Sequence, residues 1–337
     1  MSISEASKPG PVFDGVNCAQ MSAKQMQTTL NGGVSAINYT AISPFADFDA
    51  ARGQLANVLA TIEGMPEVAR VVTTAGEIEA AHRDGVVGVV IGAQNSLMVE
   101  TDLGALQHFY ELGLRILQPT YNERNAFGFG ASFTDDEDQG ITDYSREWLR
   151  SAEDLGIVVD LSHCGHRTTL EFAQAANAPV VVSHANAYEV LPSPRNKTRG
   201  IVRAVAETGG LIGAVMYSPT VRWDKRPTMA DYLDHLTHHI DVAGIEHVAF
   251  ASDISERIVE DPEEWNNSYG PGGMYPKMVG QMGSWFTYED RHNLDYDSLA
   301  QTPDIWDGMR RRGYSEDDIE RVMSGNWLRV MKAVCDA

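Results

Sequence analysis

Two histidines and an aspartate, each at the end of an apolar run, are the side chains of this sequence best suited to chemistry. His163 ends IVVDLSH, His184 ends PVVVSH and Asp253 ends HVAFASD. Neutral imidazole is a good ligand for zinc and other divalent metals, and an aspartate can ligate a metal or act as a general base. Two histidines at the ends of neighbouring apolar runs therefore favour a metal site over a purely structural role.

Further polar residues follow other apolar runs. Cys18 comes just after the first run, Gln94 after the third, and Tyr121 and Asn122 after the fourth. If these runs are the parallel strands of one barrel, their carboxyl ends meet at one mouth, where the catalytic groups of such barrels lie. We therefore expect these side chains to converge with the two histidines and the aspartate.

Other histidines and a cysteine invite different interpretations. In SHCGH, His166 stands three residues after His163, so it either reaches the same metal or supports the site from outside it. His238 and His239 fall within a predicted outer helix and are expected on its surface. Cys164 is expected to pack in the core.

Eight β-branched apolar runs must position these residues. Most of them are continuous rather than alternating, as expected for parallel strands that are covered by helices on one side and filled by side chains on the other. The runs lie at 12–16, 34–40, 86–93, 114–120, 157–163, 179–184, 210–215 and 247–253.

Amphipathic stretches between the runs predict helices, so strand and helix alternate along the chain. This order predicts an α/β fold, a closed (β/α)8 TIM-type barrel, and no Gly-rich phosphate loop of a doubly wound sheet follows the first run. We expect one domain over 1–337, with a loop insertion at 254–297 that acts at the mouth as a lid or substrate loop. Helices are predicted at 19–31, 45–62, 102–112, 142–155, 167–176, 198–207 and 228–243, and near 303–311, 316–323 and 325–334.

Composition and charge narrow the possible partners. The 337 residues are 43% hydrophobic and 22% charged, as in a globular protein with a large core. With 26 Lys and Arg against 47 Asp and Glu, the net charge of −21 disfavours nucleic acid and anionic membrane surfaces as partners. The N-terminus has no signal-like segment and no run is long enough to cross a bilayer, so we expect a cytoplasmic protein.

The sequences around these residues resemble the membrane (renal) dipeptidase family of zinc peptidases, within the amidohydrolase-like barrels. The similarity covers nearly the whole chain, and its PVxxSH…PRN block is specific. The matching segments are GITDYSREWLRSAEDLGIVVDLSH, APVVVSHANAYEVLPSPRN, VAETGGLIGAV, ASD at 251–253 and the closing MSGNWLRVMK.

The resemblance implies a set of roles. In that family a glutamate bridges two zinc ions, an HxD motif after the first strand binds one ion, and two later histidines bind the other. The later histidines match His163 and His184. The resemblance also implies that Arg195 anchors the substrate carboxylate, that Asp253 moves protons between the attacking water and the leaving amine, and that the protein is a homodimer.

The departures from the family pattern concern the metal ligands. Where the family has DGHND this sequence has DGVNC, so Val16 and Cys18 replace the histidine and aspartate; Gln94 replaces the bridging glutamate in GAQNS, and Tyr121 replaces a substrate-contacting histidine. A neutral glutamine cannot hold two divalent cations together against their repulsion. A two-metal site is therefore not expected.

Cys18, His163 and His184 would still form a three-ligand site for one divalent metal, with zinc expected, and would leave a position open for water. The alternative is that Cys18 is a small core residue and that the metal has been lost. Both interpretations stay open at the level of sequence.

Three functions are compatible with these residues. The leading hypothesis is a metal-dependent hydrolase with one ion that cleaves an amide or related C–N bond of a small carboxylate-bearing substrate, which Gln94, Tyr121, Asn122 and Arg195 would bind. The second is a metal-dependent lyase or other C–N bond enzyme acting on a modified amino acid or amine. The third is a ligand-binding protein without catalysis.

Overall fold

Eight of the nine strands in the described residues lie at the predicted apolar runs, and the third along the chain does not. The computed structural model describes residues 10–256 and 261–336. In these ranges the strands are β1 Val12–Asn17, β2 Val34–Ile42, β3 Ala69–Val71, β4 Val87–Ala93, β5 Leu114–Leu117, β6 Val158–Val159, β7 Val181–Val182, β8 Leu211–Val215 and β9 Val248–Ala251.

Eight of these strands form a closed parallel barrel. One ladder runs β1-β2-β4-β5-β6 and a second runs β7-β8-β9, while β3 pairs with the start of β4. Single parallel bridges join the two ladders, Asp160 with Val181 on one side and Asn17 with Ile254 on the other. The predicted (β/α)8 barrel is therefore confirmed.

A buried aspartate reinforces each of the two seams between the ladders. At the β6–β7 seam, Asp160 Oδ1 accepts from Ser183 N at 2.9 Å and its Oδ2 accepts from Ser183 Oγ at 2.6 Å. At the β9–β1 seam, Asp14 accepts from Ser252 N at 2.7 Å and from Ser252 Oγ at 2.6 Å. Hydrogen bonds to charged groups are stronger than neutral ones, so these carboxylates replace part of the missing backbone ladder.

The end of the barrel opposite the strand carboxyl ends is packed with apolar side chains. One buried cluster takes a residue from each of the eight barrel strands, as the inward-facing layers of such barrels do. Trp327 of the last helix joins this cluster and stacks on Phe13 of β1, with ring centroids 4.7 Å apart. The predicted C-terminal helix thus covers the base of the barrel. The eight strand residues are Phe13, Ala36, Val90, Ile116, Val158, Val181, Leu211 and Ala249.

Helices cover the outside of the barrel, and several begin at a side-chain cap. Thr142 and Thr228, for example, each accept a hydrogen bond from the third helical N–H, which satisfies a free helix-terminal donor. In the described ranges the α-helices are α1 Ala23–Asn31, α2 Phe48–Glu63, α3 Ala75–Asp84, α4 Ala105–Glu111, α5 Asp143–Leu155, α6 His166–Ala175, α7 Arg199–Glu207, α8 Ser218–Val221, α9 Met229–Ala243, α10 Pro262–Ser268, α11 Pro276–Val279, α12 Pro303–Arg311, α13 Glu316–Glu320 and α14 Asn326–Val334. Short 3₁₀ turns occupy Leu97–Val99, Ile245–His247 and Leu299–Gln301, and a π-helical turn at Arg321–Gly325 separates α13 from α14.

Two regions differ from the predicted elements. β3 and α3 lie between 64 and 86, where no element is predicted, because β3 has three residues and α3 carries charges over most of its length. The predicted insertion at 254–297 contains α10 and α11, and its aromatic residues form a separate buried cluster around Trp265, Tyr275 and Phe286. None of the helices in the described ranges combines the length and apolarity needed to cross a lipid bilayer.

Candidate metal and substrate site

A pocket at the carboxyl ends of the strands gathers the polar residues singled out in the sequence. The pocket, counted together with its opening to solvent, has an empty volume of about 970 Å³. His184 lies beneath the pocket and is fully buried, in contact with His163, which lines it. The other predicted residues that line the pocket are Cys18, Gln94, Tyr121, Asn122, Arg195 and Asp253.

The two histidines face each other through their Nε2 atoms, which are 2.9 Å apart. His163 Nδ1 lies 2.7 Å from Asn122 Oδ1, an acceptor, so this Nδ1 carries the proton and donates. Nε2 of His163 therefore carries no proton and has a free lone pair.

The tautomer of His184 is fixed in the same way. Its Nδ1 lies 2.7 Å from Ser183 Oγ, and that hydroxyl donates its proton to Asp160 Oδ2 at 2.6 Å. The serine oxygen must then accept from His184 Nδ1, which leaves Nε2 of His184 without a proton as well.

Two lone pairs at this distance repel each other unless a cation lies beside both. Zinc bonds imidazole nitrogen at about 2.0–2.1 Å, so two nitrogens 2.9 Å apart can ligate one ion. Burial, with the nearby Arg195 guanidinium, lowers the pKa of both imidazoles well below the usual value and keeps them in the neutral form that binds metal. The histidine pair therefore fits one metal ion.

The structure brings together two of the three predicted metal ligands and does not bring Cys18 to them. Within 10–256 and 261–336, no three His, Cys, Asp or Glu side chains are grouped so that they could hold a metal ion. The Cys18 thiol instead lies 3.4 Å from Thr40 Oγ1 and 3.8 Å from Asp253 Oδ1, and Gln94 Nε2 lies 3.5 Å from its sulfur. Burial first, and then Asp253, raise the pKa of this thiol, which favours its protonated form in this arrangement.

Asp253 lines the pocket at a sharp turn of the backbone, and its carboxyl has a raised pKa. Its backbone φ of 48° turns the chain sharply at the end of β9; Asn122, with φ of 50°, does the same after β5. Asn and Asp tolerate this left-handed region better than most residues, at a modest cost in energy. Burial raises the pKa of the Asp253 carboxyl to about 6, against a lowering by Arg195.

Arg195 is a buried cation that lacks a carboxylate partner among the described residues. Its guanidinium donates to the backbone carbonyls of Ser162 and, at 3.4 Å, His184. The side chain is 4% exposed and lines the pocket beside Asp253. Asp253 and Asp160 favour its charged form without making a direct ion pair, so the guanidinium can still bind an anionic ligand.

Aromatic rings enclose the rest of the pocket. Tyr121 stacks on His163 with centroids 4.1 Å apart, and meets Tyr275 edge to face at 6.0 Å. Most of this wall was not predicted from the sequence, because site residues were expected only after six of the strands and no residue of the insertion was given a role. Tyr217, two residues after β8, could have been found by the same rule. The pocket-lining residues that were missed include Met216, Tyr217, Trp265, Tyr269, Tyr275, Met278 and Phe286.

The remaining histidines lie outside this site. His166 pairs with Asp135 at 2.9 Å and its Nε2 lies 2.9 Å from a backbone carbonyl, so both ring nitrogens are engaged away from the metal pair. The expectation that His238 and His239 lie on the helix surface is wrong for His239, which is fully buried against Ala185 O. Cys164 is buried in the core as expected.

The chain is similar to known proteins in sequence. The model of the membrane dipeptidase family, peptidase family M19, matches residues 15–282. An uncharacterized dipeptidase of Schizosaccharomyces pombe is 33% identical over 180 residues, which cover 52% of this chain and 43% of that protein. The match thus spans less than half of that relative's length.

Solved structures share the fold across almost the whole chain. An amidohydrolase from Pseudomonas aeruginosa is 24% identical, with a TM-score of 0.86 and 97% of both chains covered. A metallopeptidase from Rhodobacter sphaeroides, liganded with a phosphinate mimic of the dipeptide L-Ala-D-Ala, is 22% identical, with a TM-score of 0.75, covering 97% of this chain and all of that one. At these identities the likeness shows the fold.

Proposed function

Because this chain belongs to the membrane dipeptidase family, we propose that it hydrolyses an amide or related C–N bond in a small substrate that carries a carboxylate. The family is one of metal-dependent hydrolases, and a metal cofactor belongs to its chemistry. We propose one ion, with zinc as the expected metal, held by His163 and His184, because their two bare Nε2 atoms meet at one point. Bound there, the ion would polarise the substrate carbonyl and lower the pKa of a water molecule.

The observation that carries the proposal is Arg195. Its buried guanidinium has no carboxylate partner among the described residues and lines the same pocket as His163 and Asp253. A substrate carboxylate would neutralise it and bring the neighbouring amide over the histidine pair. Asp253 would take a proton from water and deliver one to the leaving amine, as a carboxyl with a pKa near 6 can do.

Other groups would orient the substrate. Gln94, Tyr121 and Asn122 line the pocket around the proposed metal. The insertion over 254–297 supplies Trp265 and Tyr275 to the wall, so we propose that it excludes water and selects the substrate's apolar part. We also propose that the protein acts as a homodimer without nucleic acid or membrane partners, which sedimentation of the pure protein would test.

The experiment compares carboxylates with their uncharged analogues. Zinc-loaded protein is given a panel of dipeptides and N-acyl amino acids, each also as the C-terminal amide. We expect hydrolysis of some carboxylates, and a loss of kcat/KM of about a hundredfold or more for their amides, because a buried charge then stays unpaired. Arg195→Met should lower kcat/KM for the carboxylate and abolish that discrimination.

Two outcomes would contradict the proposal. One is the absence of turnover for every amide by metal-loaded protein, and the other is equal turnover of carboxylates and amides. Labelled solvent water separates hydrolysis from a lyase reaction, since hydrolysis places solvent oxygen in the product.

A further inference from the structure

The Tyr217 hydroxyl is a buried hydrogen-bond donor with no acceptor among the described residues. It lines the pocket, is shielded from solvent, and has no hydrogen-bond partner in the described part of the chain. Buried hydroxyls are nearly always bonded, because an unmade bond leaves the cost of desolvation uncompensated. A bound substrate would supply the missing partner.

The backbone holds Tyr217 firmly in place. It precedes the short helix α8, and its carbonyl accepts from Thr220 N at 3.0 Å and Thr220 Oγ1 at 2.7 Å. Asn186 ties this turn to β8, because its amide contacts Val215 O at 2.9 Å and Thr220 Oγ1 at 3.1 Å. The backbone that carries the phenol is therefore held by several hydrogen bonds.

Tyr217 also covers the corner of the site in which metal ligands have been replaced. Its ring packs with Val16, Cys18, Val215 and Ala251 in one small apolar cluster. Val16 and Cys18 stand where the family pattern has a histidine and an aspartate. In this chain Cys18 supplies a thiol and Val16 supplies methyl groups at these positions, and the Tyr217 side chain beside them carries a hydroxyl.

The charges around Tyr217 keep it in its donor form. Burial first, and then the Asp253 carboxylate, raise the pKa of the phenol, which stays protonated throughout the physiological range. Arg195 is close enough to interact with the same ring. Tyr217 therefore shares the pocket with Asp253 and Arg195 and interacts electrostatically with both.

We propose that the Tyr217 hydroxyl donates a hydrogen bond to the substrate carbonyl oxygen as that oxygen becomes anionic. This hydrogen bond takes the place of the stabilisation that a second cation would give. This inference rests on the proposed function. Water adds to the carbonyl carbon and gives its proton to Asp253, while the π electrons move to the oxygen that Tyr217 holds. When the C–N bond breaks, those electrons return and the proton passes from Asp253 to the amine. Tyr217 keeps its own proton throughout.

Tyr217→Phe tests this role, since it removes the hydroxyl and keeps the ring. We expect kcat to fall by about a hundredfold to a thousandfold, with KM changed less than about threefold, because the bond forms in the transition state. Affinity for a phosphinate analogue of the best dipeptide substrate should fall in parallel with kcat. The melting temperature should stay the same or rise, because the hydroxyl removed has no partner among the described residues.

Tyr232→Phe is the matched control. Tyr232 is a buried phenol of α9 that donates to Ala214 O at 3.4 Å and does not line the pocket. This variant should lose some thermal stability and keep its kcat, the reverse of the pattern for Tyr217→Phe.

Three outcomes decide the matter. A large loss of kcat and of phosphinate affinity without loss of stability supports the role. If Tyr217→Phe keeps kcat within about threefold of the parent, or loses activity only together with its fold, this inference is overturned and the proposed hydrolysis stands. If the parent protein cleaves no amide in the panel, the proposed function fails, and the role of Tyr217 fails with it.

Discussion

Some side chains at the pocket orient the two histidine rings, and others are placed to contact a substrate. Asn122 and Ser183 each accept from a histidine Nδ1, which fixes both ring tautomers and aims both Nε2 atoms at one point. Such outer hydrogen bonds commonly set the orientation and basicity of metal ligands. The groups that we propose to act on the substrate are Arg195, Asp253 and Tyr217, which differ in charge and line the same pocket.

The acidity of Asp253 gives the first prediction at the scale of single residues. Burial raises the pKa of its carboxyl to about 6, and a base works only when ionised. We expect kcat/KM to fall as pH drops through about 6, measured in buffers of constant ionic strength. Asp253→Asn should lower kcat/KM by about 10²–10⁴ and remove this acid limb from the residual rate.

If kcat/KM of the Asp253→Asn variant still falls as pH drops through about 6, the titrating group is a residue other than Asp253. Burial also raises the pKa of Asp14 to about 6, so it is the group to examine next. Asp14 lies in the barrel seam and is fully buried, so its titration would be read in stability. Since its folded pKa is raised above the unfolded value, its contribution to stability is present at low pH and is lost as pH rises through about 6.

At the scale of elements, the eight barrel strands could be predicted because each is a compact apolar run. The unit β3–α3 could not, since three residues make no periodicity and its helix reads as a charged surface stretch. The site shows the same limit. Residues such as His163 and Asp253 stand at strand ends, whereas Trp265 and Tyr275 reach the pocket from a long insertion whose path no local pattern specifies.

The placement of Cys18 also needed the structure. Sequence position puts it at the same mouth as the histidines, but position along a strand does not fix the direction of a side chain. Thr40 and Asp253 surround its sulfur and the burial of the thiol disfavours a thiolate. These are tertiary contacts between β1, β2 and the segment after β9, so the sequence alone left both interpretations open.

The seam between β6 and β7 gives a prediction for the barrel itself. Asp160→Asn would turn an amide N–H₂ toward Gln118 Nε2 and Ser183 Oγ, which now donate to its Oδ2 at 2.7 and 2.6 Å. We expect a loss of about 2–4 kcal/mol in the free energy of unfolding, because buried donors lose their acceptor. Urea denaturation measures the loss.

A surface aspartate provides the comparison for that measurement. Asp84 pairs with Arg70 at 2.7 Å, and its side chain is 59% exposed. Asp84→Asn should cost less than about 1 kcal/mol, as exposed ion pairs usually do. Equal losses for the two variants would show that the buried carboxylate adds nothing special to barrel closure.

At the scale of the whole molecule, metal binding should appear as added stability. We expect one equivalent of zinc per chain, and stabilisation by about 2.7 kcal/mol when free zinc exceeds its Kd a hundredfold. His184→Ala should lose both the bound zinc and the stabilisation. Cys18→Ala should keep both, because its thiol is directed to Thr40 and Asp253.

Metal analysis and thermal melting of the dialysed protein together check this prediction. Two equivalents per chain would contradict the proposed single ion. Loss of zinc from Cys18→Ala with His184→Ala unaffected would reverse the assignment of ligands.

The two seam carboxylates have a consequence for how such a protein can diverge. Asp160 accepts hydrogen bonds from Ser162 and Ser183, which precede His163 and His184. Asp14 accepts a hydrogen bond from Ser252, which precedes Asp253. The backbone that carries the two histidines and Asp253 is therefore positioned by carboxylates buried inside the barrel wall, whereas Cys18 contacts Asp253 only through its thiol, 3.8 Å from Oδ1. Substitutions at positions 16, 18 and 94 can therefore change the polar groups of the pocket while the backbone around His163, His184 and Asp253 keeps its position. Such a protein can evolve toward new substrates on the same barrel.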